Sequence, residues 1–336
     1  MSTGTSSSIF KPAWWLPEGH SQTLWRKFSP PPPVPQRRQR LELRDGDFID
    51  IDWAQQIQPG DSAADTLVVI QHGLCGCSSS PYVIALQDQL ARHGIASTAV
   101  NFRGCGGEVN RLAKAYHSGI SEDTNEIFEN LSIAYPRHQF VFVGYSLGAN
   151  VLLKWLGEIK QHPQLRQAIA VSTPFNLALC STALLNGASR WYGSYFVRRL
   201  VRDVNSKKQY FAAKGIQEQW QQLDELGDLR GIRTIWEFDD RVTAPLHGFR
   251  NAEDYYSKCS SMNFIDEIGV DTLLIQSRND PMIPPESLPD PATLPANIHL
   301  QLLDHGGHVG FISGARDNWL ERRIASFIIE HSSFIR

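Results

Sequence analysis

The stretch Gln139–Trp155, QFVFVGYSLGANVLLKW, restricts the possible folds more than any other part of the chain. Phe140 to Val143 is a short apolar β-type run that passes directly into Gly144-Tyr145-Ser146-Leu147-Gly148. Val151, Leu152, Trp155 and Leu156 then recur at helical spacing. The pattern predicts a strand, a sharp turn and a helix, with Ser146 at the apex and its Oγ held out at the carboxyl end of a sheet. A Cβ at Gly144 or Gly148 would collide with neighbouring backbone in so tight a bend. The helix that begins here presents unpaired N–H groups and a partial positive charge to a nearby anion. An ordinary turn can carry the same five residues. The strand before and the helix after favour a nucleophile.

The rest of the chain supplies the sheet. LELRDGDFIDIDW, from about residue 40, alternates as two strands joined at Asp45-Gly46, a β-hairpin. Further strands are expected at Thr66–Gln71, Ile95–Asn101, Gln167–Ser172, Asp271–Gln276 and Asn297–Leu303. Helices are expected at Pro81–His93, Ser121–Ala134 and Asp317–Glu330. Strands alternating with helices at this interval imply a largely parallel sheet with right-handed crossovers. The rhythm breaks between about 175 and 265, where aromatic, helix-like stretches (SRWYGSYFVRRLV, YFAAKGIQEQWQQL) show no clear strand. They read as an insertion over the carboxyl edge of the sheet, a lid. The expected organisation is therefore 1–39 as an N-terminal extension, 40–174 and 266–336 as the two parts of the core, and 175–265 as the insertion. Within the extension, residues 1–8 read as disordered and Pro30–Pro33 as a stiff spacer. The aromatic segment FKPAWWLPEGHSQTLWRKF between them is expected to pack on the main body.

A serine hydroxyl needs a base to remove its proton, and the base needs a third group to orient it. The loop after DTLLIQ, Ser277-Arg278-Asn279-Asp280-Pro281, offers Asp280, which a simple turn before proline would also explain. The loop after NIHLQLL, Asp304-His305-Gly306-Gly307-His308, offers two histidines. His308 is preferred as base because the Gly-Gly pair lets the chain turn back toward the sheet, whereas His305 follows the strand directly. His93, His138 and His162 read as solvated surface. Donors for a developing oxyanion are expected from the N–H of Leu147, after the serine, and from that of Leu74 in the loop His72–Gly76. Asp239-Asp240 and Tyr255-Tyr256 read as pins between insertion and core. Arg103–Gly107 lacks the Lys-Ser/Thr of a phosphate loop and reads as a structural loop at the rim. Cys105 within it has no expected base.

With 336 residues the chain can bury a large core, and a net charge of −3 gives no reason to expect nucleic acid or an anionic membrane as partner. The N-terminal residues lack a basic region followed by an apolar one, and no apolar run approaches the roughly 20 residues of a spanning helix. Cys75, Cys77, Cys105, Cys180 and Cys259 are odd in number and scattered, which suits a reduced cytoplasmic protein and argues against zinc.

Taken together, RLELRDGDFIDIDW, HGLCG, NFRGCGGEVNR, YHSGISED, GYSLGANVL, EFDDRVTAPLHGF, SRNDPMIP and HGGHVGF occur in the order found in a known family. The chain resembles the YheT-like α/β-hydrolases (AB-hydrolase family 4) over nearly its whole length beyond the spacer, with a weaker echo in GHSQTL. The resemblance implies an α/β-hydrolase fold, a mostly parallel central sheet flanked by helices with a helical lid insertion. It implies Ser146, Asp280 and His308 as charge-relay residues and hydrolysis of small-molecule carboxylic esters without metal or organic cofactor. The aromatic, leucine-bearing insertion suggests an apolar acyl pocket, and short- to medium-chain acyl esters are the expected substrates. Two other readings stand beside it: an acyltransferase using the same three residues, and a non-catalytic ligand-binding protein on a hydrolase scaffold. Oligomeric state is not legible.

Overall fold

The computed structural model describes residues 9–56, 58, 66–315 and 319–330, so the expectation for residues 1–8 lies outside them. Eight strands form one sheet: β1 (Gln36–Glu42), β2 (Phe48–Ala54), β3 (Thr66–Gln71), β4 (Ala96–Asn101), β5 (Gln139–Tyr145), β6 (Leu165–Val171), β7 (Asp271–Ser277) and β8 (Ile298–Leu303). Their spatial order is β1-β2-β4-β3-β5-β6-β7-β8. β1 and β2 pair antiparallel, as do β2 and β4, and all pairs from β4 to β8 are parallel. Parallel strands need crossovers, and those between β3 and β4, β4 and β5, and β5 and β6 are the helices α2 (Pro81–Arg92), α3 (Ser121–Ala134) and α4 (Leu147–Ile159). A first helix, α1 (Gly19–Phe28), precedes the sheet.

A strand buried on both faces must be apolar throughout, and β5 shows how its residues divide. Phe140 and Phe142 pack with Phe128 of α3 and Trp155 of α4. Val141 and Val143 point the other way, into a cluster with Val83, Leu86 and Leu90 of α2 and with Trp319 and Ile324. Those last two belong to the closing helix α11 (Trp319–Glu330); residues 317 and 318, where that helix was expected to begin, lie outside the described residues.

β1 begins at Gln36, inside the segment 1–39 expected to be N-terminal extension and four residues before the expected strand pattern. Its sequence QRRQRLE has no apolar alternation; Arg38 and Arg40 instead pair across the strands with Asp52 and Asp50 at 2.8 Å each. The hairpin turn falls at Asp45-Gly46 as expected, with Gly46 at φ +86°.

Between β6 and β7 the chain is helical: α5 (Leu177–Ala183), α6 (Arg190–Lys214), α7 (Gln217–Asp224), α8 (Ile235–Phe238), α9 (Ala244–His247) and α10 (Ala252–Cys259). The first of the two helix-like stretches expected here lies in the 25-residue α6, which stops at Gly215 in the left-handed region; the second is divided between the end of α6 and α7. Tyr255 of α10 accepts a hydrogen bond from Ser118 N–H of the core at 2.7 Å, and Asp240 accepts one from Ala252 N–H at 3.0 Å. Among the described residues no helix is long and apolar enough to cross a membrane.

Candidate active site

Ser146 sits between β5 and α4 at φ +53°, ψ −119°, a backbone conformation that few non-glycine residues adopt. The bend is possible because both flanking glycines lack side chains. A Cβ on Gly144 would come within 2.6 Å of Ala149 Cα, and one on Gly148 within 2.5 Å of His72 O. Strain of this sort persists only where the surroundings impose it, and it is concentrated at functional sites.

His308 Nε2 lies 2.7 Å from Ser146 Oγ, and its Nδ1 lies 3.0 and 3.2 Å from the two carboxylate oxygens of Asp280. The Asp280 side chain is fully buried and that of His308 is 10% exposed. Asp280 Oδ1 also accepts from Met282 and Ile283 N–H at 2.8 and 3.2 Å, which fixes the carboxylate in its proline-bounded loop. Three side chains separated by 134 and 28 positions thus meet, while His305 is exposed and outside the group. His93 and His162 are exposed as expected; His138 is half-buried beside Tyr135, against expectation.

The loop His72–Gly76 passes so close to the serine that a Cβ on Gly73 would stand 3.0 Å from Ser146 Cβ. Its N–H groups are divided. Gly73 N–H donates to Tyr82 Oη at 2.9 Å, Cys75 N–H to Tyr116 Oη at 2.8 Å, and Gly76 N–H to Gly73 O at 3.0 Å. The N–H of Leu74 has no acceptor among the described residues, and neither has that of Leu147 in the first turn of α4. His72 braces the loop from beneath: Nδ1 bonds Gly73 O at 2.8 Å, and Nε2 accepts from Phe102 N–H at 3.3 Å. Burial lowers the His72 pKa to about 4, so it stays neutral in this arrangement.

Sequence reading missed two sets of supporting residues. The first is the tyrosine pair Tyr82 and Tyr116. The second is α1, which clamps both late loops. Thr23 Oγ1 accepts from His308 N–H at 2.8 Å, and Gln22 bonds Ile312 in both directions, at 3.0 and 2.6 Å. Gly19 is where α1 touches the backbone of the Asp280 loop, at Asn279, and Gly307 and Gly310 are where the His308 loop touches the backbone of α1. Those glycines were the available signal.

Ser146 lies where two cavities meet. One, of about 220 Å³, runs past Thr23, Leu24, Tyr82, Tyr192 and Tyr195; the other, of about 90 Å³, runs past Leu147, Leu177, Ile235 and Ile283. Leu74, Phe196, Met282 and His308 border both. Asp239 lines the smaller one. It opens a π-helical turn, Asp239–Thr243, and accepts from Tyr256 Oη at 2.6 Å and Thr243 Oγ1 at 2.7 Å. Burial raises its pKa to about 6, against 3.8 when unfolded. Between those values the folded chain holds a proton that the unfolded chain has lost. This group therefore adds stability as pH falls from about 6 toward 4, and above pH 6 its buried charge costs about 3 kcal/mol. Melting curves of Asp239→Asn should show a larger gain in Tm over the parent at pH 8 than at pH 4.5; an equal gain at both would contradict this.

Arg103, expected at the rim, lines neither cavity at Ser146; it is buried and paired with Asp123 at 2.6 Å and Asp45 at 2.6 Å, so it ties α3 to the hairpin and has carboxylates in place of a ligand. Burial pushes the Cys105 thiol well up, which makes it a poor nucleophile.

A family model described as the alpha/beta hydrolase fold matches residues 66–315. The Escherichia coli protein YheT, provisionally named an esterase, is 36% identical over 96% of this chain and 94% of its own length. The human phospholipase ABHD3 is 26% identical over 97% of this chain and 80% of its own. Among solved structures, an esterase of Pyrococcus furiosus superposes with a TM-score of 0.56 at 16% identity, over 88% of this chain and 93% of its own, a likeness of fold.

Proposed function

This chain belongs to the α/β-hydrolase family, within the group that contains YheT, and from that premise we propose that it hydrolyses carboxylic esters through Ser146, His308 and Asp280. The observation that carries the reading is the unbroken path from Ser146 Oγ through the His308 ring to the buried Asp280 carboxylate. His308 Nε2 takes the Ser146 proton as Oγ bonds to the ester carbonyl carbon. The carbonyl oxygen becomes an anion held by the N–H groups of Leu74 and Leu147. When the anion collapses, the alcohol leaves with the proton from His308, and water repeats the sequence on the acyl-enzyme to release the acid. Asp280 holds the imidazole in the required tautomer and stabilises its charged form. Helices α5–α10 act as the lid, and the larger cavity, with exposed Tyr195 on its wall, is the route by which alcohol leaves and water enters. Five free thiols suit a reducing compartment, and we place the protein in the cytoplasm.

A fluorophosphonate probe followed by peptide mapping tests the nucleophile: label on Ser146 is expected, and label elsewhere or none overturns the reading. Turnover with added glycerol, with products resolved, separates water from alcohol as the acceptor. The tyrosine pair gives a finer check. Tyr116→Phe releases the Cys75 N–H beside Leu74 and should lower kcat about tenfold while KM moves little. Unchanged kcat would remove Tyr116 from the support of the oxyanion site.

A further inference from the structure

The two cavities at Ser146 differ in more than volume. After the first chemical step the alcohol must escape while the acyl group stays bonded to Oγ. The larger cavity, with exposed Tyr195 on its wall, suits the departing half, and the smaller one suits the retained half. A cavity of about 90 Å³, less than half the volume of its neighbour, suits a short acyl chain.

The walls of the smaller cavity are mostly apolar, but they include Ser118, Ser181, Tyr256 and Asp239. Asp239 is buried and has no cationic partner among the described residues. An ionised carboxylate offers about four acceptor positions, and the hydroxyls of Tyr256 and Thr243 occupy two of them. Holding those two hydroxyls needs only neutral oxygens; an asparagine or serine would do it without burying a charge. The charge is better explained by a third donor that arrives with the substrate. We propose that the smaller cavity is an acyl pocket selective for short acyl groups bearing a hydroxyl, with Asp239 as the acceptor. This rests on the ester-hydrolase reading and names its substrate class.

Three matched esters test it: p-nitrophenyl butyrate and each enantiomer of p-nitrophenyl 3-hydroxybutyrate, compared by kcat/KM at pH 8. The parent enzyme should prefer one hydroxylated enantiomer about tenfold or more, the range of a hydrogen bond to a charged acceptor. In Asp239→Asn that preference should fall to within about threefold of unity. The ratio is the readout, so a partly unfolded preparation does not imitate the result. A parent enzyme that is labelled at Ser146 and cleaves all three esters equally overturns the acyl-pocket proposal and leaves the hydrolase reading standing. A preference that survives Asp239→Asn overturns the assignment to Asp239. Absence of both labelling and turnover removes the hydrolase reading and this proposal with it.

Discussion

Ser146→Ala is expected to lower kcat for a p-nitrophenyl acyl ester by about 10⁴-fold or more, with circular dichroism and Tm close to those of the parent. Where nucleophile, base and orienting acid act as a unit, loss of the nucleophile alone removes most of what the unit supplies. What survives is the contribution of binding and of the N–H groups of Leu74 and Leu147, whose positions do not depend on the hydroxyl. The fold should tolerate the change. Ser146 is held in its strained conformation by Gly144, Gly148 and the backbone bond from its own N–H to Val171 O at 2.8 Å, none of which involves Oγ. Wild-type rates in this variant would remove Ser146 from the chemistry.

The ease with which this site is read from sequence follows from the range of the interactions that build it. The bend at Ser146 is made within five residues, by two glycines and the strand and helix on either side, so its signature is local. Asp280 and His308 are legible one step less directly, because each follows a strand of the parallel sheet and loops after such strands share one edge. The bond from His308 N–H to Thr23 Oγ1 spans 285 positions and joins a loop to a helix outside the sheet. No periodicity encodes such a contact. The tyrosines are similar: Tyr82 opens α2 with an unremarkable apolar pattern, and only the folded loop shows which N–H its hydroxyl holds.

The β1 edge was obscured for another reason. Its pairing is carried by Arg38 and Arg40 against Asp52 and Asp50, so the start of a charged strand read as part of the N-terminal extension. In the insertion, helical spacing was legible but the placement of α6 above Ser146 was not. That placement depends on which of its residues meet the core, and Phe196 borders both cavities only because of it. Asp239 carried a sequence signal, a repeated acid in an aromatic stretch, but its bond to Tyr256 stays within the insertion, and of the expected pins it is Tyr255 that reaches the core, at Ser118. Its position on the wall of a cavity beside the serine is a tertiary fact.

The clamp made by α1 leads to the second large effect. Gly307 precedes His308 and carries the turn that aims the imidazole, its N–H bonded to Gly310 O at 2.7 Å. The turn is taut, since Val309 on the far side of His308 is held at φ +59°, an outlier for a β-branched residue, by a 2.9 Å bond from its N–H to Ser172 Oγ. A Cβ on Gly307 would stand 2.5 Å from Gly19 O and 2.7 Å from both Thr23 N and Thr23 Oγ1. All but the last are backbone, so a rotamer change alone cannot relieve them. Either α1 withdraws or the His308 loop shifts, and in both cases the His308 N–H loses its acceptor. A displacement of about 1 Å at a proton-transferring group costs about 10²-fold in rate. Gly307→Ala is therefore expected to lower kcat about 100-fold and to slow fluorophosphonate labelling in parallel, while the cores on either face of the sheet, which do not include Gly307, keep the chain folded. Thr23→Val removes the acceptor without adding bulk at the turn and should give a smaller loss in the same direction, about tenfold. If Gly307→Ala labels and turns over as fast as the parent, α1 does not position His308, and the contacts of Gly19, Thr23 and Gly310 are packing alone.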